Sequence, residues 1–292
     1  MVNYKMKVGY IFMSAFAIYQ LNKDQTDLFY FNSDGNLDLE LVLEKMTDEY
    51  ETPSVDSKVI GEGFLNAHIG DFNVLIDEKF STENKLKFNG GRQTSFKAIS
   101  ATVTGAGSLG YYSEVYIENG SVRSQRQQHT FYSKADILLT EGGILIAYFE
   151  SVVAEKIKTQ LKGLFEGLGF DISTFKISTD LLKIVREICD WTEVKLERID
   201  NEQDNTKKVS YEIDITNKDH ESLIDSIYRD KGKIVQISFH LPYNLKEDHS
   251  NLYCVKLFHK EHRGSLLNNE FNTNHGDMKK FIIYVTNFLL CL

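Results

Sequence analysis

A carboxylate and a lysine stand two residues apart at Glu193-Val194-Lys195. Within a strand that spacing sends both side chains to one face. There an acid and an ammonium share one patch of surface, a first set of candidate groups. Histidine offers a second donor set, because six of the eight lie between His220 and His275. His259 and His262 form an HxxH flanked in sequence by His249 and His275. On a helix that spacing places both rings on one face, as a zinc site requires. Leu257 to Arg263 reads instead as a strand running into a polar turn, and residues three apart on a strand point to opposite faces. Surface histidines, with no metal, are the expectation there.

The Glu193 to Lys195 tripeptide resembles the motif of the PD-(D/E)xK nucleases, over these few residues only. The resemblance implies Mg²⁺-dependent cleavage with Asp171 or Asp180, Glu193 and Lys195 as the catalytic set: Glu193 and the upstream Asp would hold the cation, Glu212 or Asp214 on the next strand would add ligands, and Lys195 would orient the attacking water or stabilise charge on the phosphate. The chain departs from that pattern because a second strand, not a helix, is expected to follow. Gly105-Ala-Gly-Ser-Leu-Gly110 matches GxGxxG, which binds pyrophosphate only between a strand and a helix N-terminus. Tyr-rich strand sequence follows it here, so it reads as a turn or bulge cluster. No G-x-S-x-G is present. Cys189, Cys254 and Cys291 are few, odd in number and far apart, the pattern of a reducing compartment, and Cys189 falls on the apolar side of an expected helix.

Charge is distributed more tellingly than any of these motifs. Between Asn84 and Lys134 seven Lys/Arg (Lys85, Lys87, Arg92, Lys97, Arg123, Arg126, Lys134) meet only Glu114 and Glu118, a balance of +5 in a chain of net charge -9. Seven aromatics are interleaved with them, Tyr111, Tyr112 and Tyr116 among them. Cations beside stacking surfaces suit a nucleic-acid backbone and its bases. Immediately upstream, Leu21 to Glu83 carries fifteen acids against four Lys/Arg. The basic stretch can therefore equally meet acids of its own chain, a protein partner or a second copy, and so set assembly.

The elements that must position these groups are legible from period and punctuation. Lys5 to Tyr19 and Asp27 to Phe31 read as strands, and Asp38 to Tyr50 as an amphipathic helix. Lys5 and Lys7 before the apolar run Val8 to Ala17 have the outline of a leader, but the run is short and reads better as a buried strand. Strands are expected over Phe72 to Ile76, Ser95 to Thr104, Tyr112 to Ile117, Val122 to Phe131 and Ile144 to Phe149. Their turns fall at Asn89-Gly90-Gly91, Gly105-Ala106-Gly107, Asn119-Gly120 and Gly142-Gly143. Asn119-Gly120 is the sharpest signal, since a type I′ hairpin needs positive φ at both positions. From about Ser151 the pattern changes to a helix closed by Gly167 and Gly169. It continues with a strand over 171 to 177, a helix over 179 to 189, strands over 191 to 199 and 209 to 216, a helix over 221 to 228 and a strand over 234 to 241. That βαββαβ order is the order of a ferredoxin-like core. A strand over 252 to 259 and a helix over 278 to 290 complete the chain.

The sequence therefore predicts an α+β protein, with a β-rich region over 1 to 150 packed on an α/β region over 151 to 292 and a ferredoxin-like core over 171 to 241. Within the first region, 21 to 83 is the acidic lobe and 84 to 134 the basic one. The expected function is a non-catalytic, cytoplasmic binding component in which Lys85, Lys87, Arg92, Lys97, Arg123 and Arg126 contact nucleic acid and Tyr111, Tyr112 and Tyr116 offer stacking. The Lys/Asn/Ile-rich composition prompts a setting in bacterial genome (anti-phage) defence. No cofactor is expected, Mg²⁺ belonging to the nuclease alternative alone. A protein partner or homo-oligomer is expected, and no membrane.

Overall fold

The computed structural model describes residues 14–48, 62–76, 92–150, 154–200, 205–214, 222–246, 249–267 and 275–292. The protein is of mixed α+β class, with strands outweighing helices. Two compact units make up the chain, one drawn from Ala15–Val74 with Gln93–Phe175, the other containing Lys176–Leu292.

The first unit runs β1 (Ser14–Leu21), α1 (Leu39–Asp48), β2 (Gly63–Ile76), β3 (Arg92–Glu118), β4 (Ser121–Thr140), β5 (Ile144–Phe149), α2 (Lys158–Gly167) and β6 (Ile172–Thr174). Its strands are ordered β2-β3-β4-β5-β1, and β6 also pairs with β1. Period-2 alternation sorts the side chains. Ala15, Ala17 and Tyr19 of β1, Ile99, Ala101 and Val103 of β3, Ala135, Ile137 and Leu139 of β4, and Leu145, Ala147 and Phe149 of β5 are buried in one cluster. Leu39, Val42 and Met46 of α1 and Leu161, Leu164 and Phe165 of α2 close over it. Each of the Val, Leu, Ile, Phe and Met side chains contributes roughly 1.5–3 kcal/mol of transfer free energy. Asp38 caps α1 by accepting from the Glu40 and Leu41 amides at 3.2 Å.

The end of α2 shows how locally the sequence decides. Gly169 takes φ +89°. Its amide donates to the Glu166 carbonyl and that of Phe170 to the Phe165 carbonyl, both at 3.0 Å. These are the two bonds of a Schellman motif. The accompanying apolar contact is Phe165 against Phe170, ring centroids 6.1 Å apart.

The second unit runs α3 (Thr179–Ile188), β7 (Asp190–Glu197), β8 (Lys208–Glu212), α4 (Leu223–Tyr228), β9 (Lys233–Lys246), β10 (His249–Phe258), β11 (Arg263–Leu266) and α5 (His275–Leu290). Its strands are ordered β11-β10-β9-β7-β8. Val194, Leu196, Ile237, Phe239, Val255 and Leu257 are buried. Phe239 packs against Phe288 of α5, centroids 6.1 Å apart.

Several expectations need correcting. Gly105-Ala106-Gly107 is not a turn, because β3 runs through it as one 27-residue strand. A Cβ on Gly105 would stand 3.1 Å from Gln160 Cβ, and one on Gly107 2.6 Å from the Phe131 ring. These glycines admit α2 and Phe131 to the strand rather than a phosphate. Leu28–Tyr30, expected as strand, is a 3-10 turn whose Tyr30 hydroxyl donates to the Leu168 carbonyl at 2.7 Å. The element order βαββαβ is present over 172 to 246, yet its strand pairings do not describe a ferredoxin-like core. β6 pairs with β1 and lies in the first unit, while β9, β7 and β8 are consecutive neighbours in the second. β11 was not foreseen at all. Residues 1–13 and the turn at Asn89 to Gly91 lie outside the described residues. Among the described residues no helix is long and apolar enough to cross a membrane.

Candidate binding ribbon

β3 and β4 continue well past the packed part of their sheet. β5 accompanies β4 only from Asp136 to Leu139. β2 is fourteen residues long and has Phe72 stacked on Phe96, centroids 6.0 Å apart, so it ends before the far half of β3. Beyond, the two strands form a ribbon closed by Asn119 at φ 51° and Gly120 at φ 75°, the positive pair of a type I′ turn. The expected hairpin is thus present, with Tyr112 opposite Gln127 and Ile117 opposite Val122. Its register shifts between Ser108 and Tyr111, where Gly110 takes φ 101° and its amide donates to Ser108 Oγ at 3.1 Å. The extra residue is a β-bulge, and it exchanges which parity of β3 faces which side.

Because opposite residues share a face, the ribbon has two assignable sides. One carries Tyr112, Glu114, Tyr116 and Glu118 with Arg123, Gln125 and Gln127. The other carries Tyr111, Ser113, Val115 and Ile117 with Val122, Ser124 and Arg126. Eight of the fourteen large apolar side chains exposed among the described residues lie between Leu109 and Tyr132, with Ile117 at 76% and Val122 at 74%. Exposed apolar side chains are thus concentrated on this ribbon and divided between its two sides.

The predicted cations are divided by this geometry. Arg126 lies over the Tyr111 ring with its guanidinium carbon 4.0 Å from the centroid. Arg123, on the opposite side, pairs with Glu118 at 2.9 Å and stands across from Tyr116. Lys97 is exposed but lies fourteen residues down β3 from Tyr111, roughly 46 Å along a strand. Lys134 pairs with Glu150 at 2.7 Å, and that hydrogen bond raises its pKa. Arg92 opens β3. Lys85 and Lys87 lie outside the described residues. From Leu109 to Tyr132 two arginines face two glutamates, so the ribbon itself is electrically balanced.

The nuclease set is placed as follows. Glu193 accepts from Gln236 Nε2 at 2.8 Å, Ser238 Oγ at 3.1 Å and Lys256 Nζ at 2.6 Å, so both its oxygens are engaged. Lys195 lies opposite Gln236 and Ser210. Asp180 is exposed in the first turn of α3, and Glu212 lies opposite Glu193. Asp171 accepts from Asn22 Nδ2 at 3.1 Å in the first unit. His259 and His262 meet across the β10–β11 turn at 5.8 Å between centroids, and His259 Nδ1 lies 2.7 Å from the Ile177 carbonyl oxygen. Among the described residues no group of three or more His, Cys, Asp and Glu is disposed to hold a metal ion. Burial pushes the Cys189 thiol well above its usual range and the Cys254 thiol up to about 11, so both stay protonated near neutrality.

Sequence reasoning passed over one polar cluster. Asp225 of α4 is buried and accepts from the Tyr211 hydroxyl at 2.7 Å, from Arg229 Nε at 3.0 Å and from Arg186. Arg186 lies over Trp191 at 5.3 Å. Burial acts to raise the Asp225 pKa, but hydrogen bonds from Tyr211 and Arg229 and the charges of both arginines outweigh it and hold the carboxyl below its usual value. The cluster ties α3, α4 and β8 together. No protein-family model matches this sequence, and no curated protein matches it either. The exposed ribbon is the feature of the molecule that a bland packing role accounts for least.

Proposed function

We propose that this protein is a non-catalytic binding component that engages another polypeptide through the β3–β4 ribbon. The observation that carries the reading is the ribbon's surface, rich in exposed Tyr, Val and Ile yet electrically balanced. Binding that neutralises phosphates would call for an excess of cations on one face, whereas aromatic and aliphatic side chains with few charges suit a protein interface. A variant that joins Ser108 to Thr130 through Asn-Gly removes the ribbon at a residue pair already opposite each other. Random-peptide display against the full chain is expected to enrich extended, alternating sequences, and this variant to lose that enrichment. Enrichment that survives the shortening refutes the reading.

A second reading rests on Arg126 stacked over Tyr111, which offers a cation and a ring on one exposed face. That pair suits single-stranded nucleic acid. Titration of an oligonucleotide across salt separates the two. The nucleic-acid reading expects affinity that falls steeply with salt and is lost on Arg123→Glu with Arg126→Glu. Affinity independent of both sinks it.

A further inference from the structure

We infer that the ribbon's partner is a second copy of this chain, β4 of one ribbon pairing edge to edge with β3 of the next. The inference rests on the ribbon being a polypeptide-binding arm, and three observations carry it further. First, the outer edges of the ribbon have no neighbouring strand among the described residues, since β5 stops at Asp136 and β2 ends lower on β3. A strand edge left open presents N–H and C=O groups that template another strand. Second, two of the usual protections are absent, for between Leu109 and Ser133 there is neither lysine nor proline. An open edge without lysine or proline is available to a further strand.

Third, the two edges carry opposite charge. From Leu109 to Glu118 β3 has Glu114 and Glu118 and no cation. From Ser121 to Ser133 β4 has Arg123 and Arg126 and no acid. Two β4 edges meeting would bring four arginines together, and two β3 edges four glutamates. Only β4 against β3 balances. Ribbons pointing the same way then continue an antiparallel ladder from copy to copy, with Arg123 on the same face as Glu114 and Glu118 of the neighbouring ribbon. The contact is heterologous, so it builds a ring or a filament rather than a two-fold dimer.

The test is light scattering on three charge variants beside the unaltered chain. Arg123→Glu with Arg126→Glu makes both edges acidic, and Glu114→Lys with Glu118→Lys makes both basic. All four substitutions together reverse each edge and keep them complementary. The unaltered chain is expected to form species larger than a dimer that grow with concentration. Each double variant is expected to be monomeric, with association weakened at least tenfold, while an equimolar mixture of the two and the fourfold variant both reassemble. A closed dimer, a double variant that assembles like the unaltered chain, or a fourfold variant that stays monomeric overturns the inference. A monomeric chain that still selects ribbon-dependent peptides overturns self-pairing and leaves the binding arm standing. Loss of both sinks the arm as well.

Discussion

Removing the Asp225 carboxylate strands Arg186 in a buried site, and the single tryptophan is placed to report it. The two side chains are only 5% and 7% exposed, and Arg186 also donates to the Arg229 carbonyl at 3.1 Å. Asp225→Ala deletes the counterion and the acceptor of Tyr211 at once. Breaking a buried pair from one side costs about 3–5 kcal/mol, because the surviving charge keeps its desolvation penalty. With a urea slope of about 2 kcal/mol per molar, the midpoint of the transition falls by roughly 2 M. Trp191 packs edge-on to Tyr211 at 6.0 Å and lies under Arg186, so its fluorescence follows this transition directly. Replacing both charges, by Arg186→Met with Asp225→Leu, removes the orphaned ion and is expected to recover more than half of the loss. Tyr211→Phe removes one hydrogen bond to a charged acceptor, at about 1.5–3 kcal/mol. A loss below about 1 kcal/mol for Asp225→Ala, or a double variant no better than the single one, refutes the assignment of Asp225 as the counterion that holds α4 down.

The same carboxylate makes stability depend on acid. Its folded pKa lies below its unfolded value of about 3.9, so the stabilisation is present above that value and is lost as pH falls through the folded pKa. The Trp191 midpoint should therefore drop steeply below about pH 4, and much less in Asp225→Asn. Lys256→Met leaves Glu193 without its closest donor, at 2.6 Å, and is expected to lower thermal stability. Equal stability would show that Gln236 and Ser238 suffice. Gly169→Ala must place a Cβ at φ +89° and 2.8 Å from Asp27 Oδ2, and is expected to destabilise by about 1–2 kcal/mol in urea unfolding. Asn119→Val forces a β-branched residue to a positive φ in the hairpin turn. Hydrogen exchange of the ribbon amides should quicken, with protection of the packed strands unchanged.

What the sequence made legible was local. Asn119-Gly120 announced its turn because no other common pair takes two positive φ angles so cheaply. Gly169 announced the end of α2, and the short apolar run Ile144 to Phe149 after Gly142-Gly143 announced β5, for the same reason: the determinant lies within a few residues. Strand neighbours lie far apart in sequence, and there the reading failed. β6 carries the branched pattern of a first ferredoxin-like strand, but it pairs with β1, about 150 residues away, through Leu21 opposite Ile172. Nothing in its own composition distinguishes the two destinations. β11 is four residues, Arg263 to Leu266, too short and polar for its composition to announce it, and it is defined by its pairing with β10.

The candidate site shows the same limit in a different form. Counting charge over Asn84 to Lys134 merged groups that the fold keeps apart. A strand rises about 3.3 Å per residue, so Lys97 and Arg126 lie far apart along the β3–β4 pair, and the odd spacing of Arg123 and Arg126 on one alternating strand puts them on opposite faces. A window average has no faces and no edges. Once the register is known, the relevant division runs along each strand: acids on β3, arginines on β4. That division was already present in the order of the letters, but it acquires meaning only when Asn119-Gly120 folds the two halves side by side and leaves each with one open edge. An excess of positive charge asks for a phosphate backbone, whereas an acidic edge and a basic edge on one ribbon ask for another ribbon.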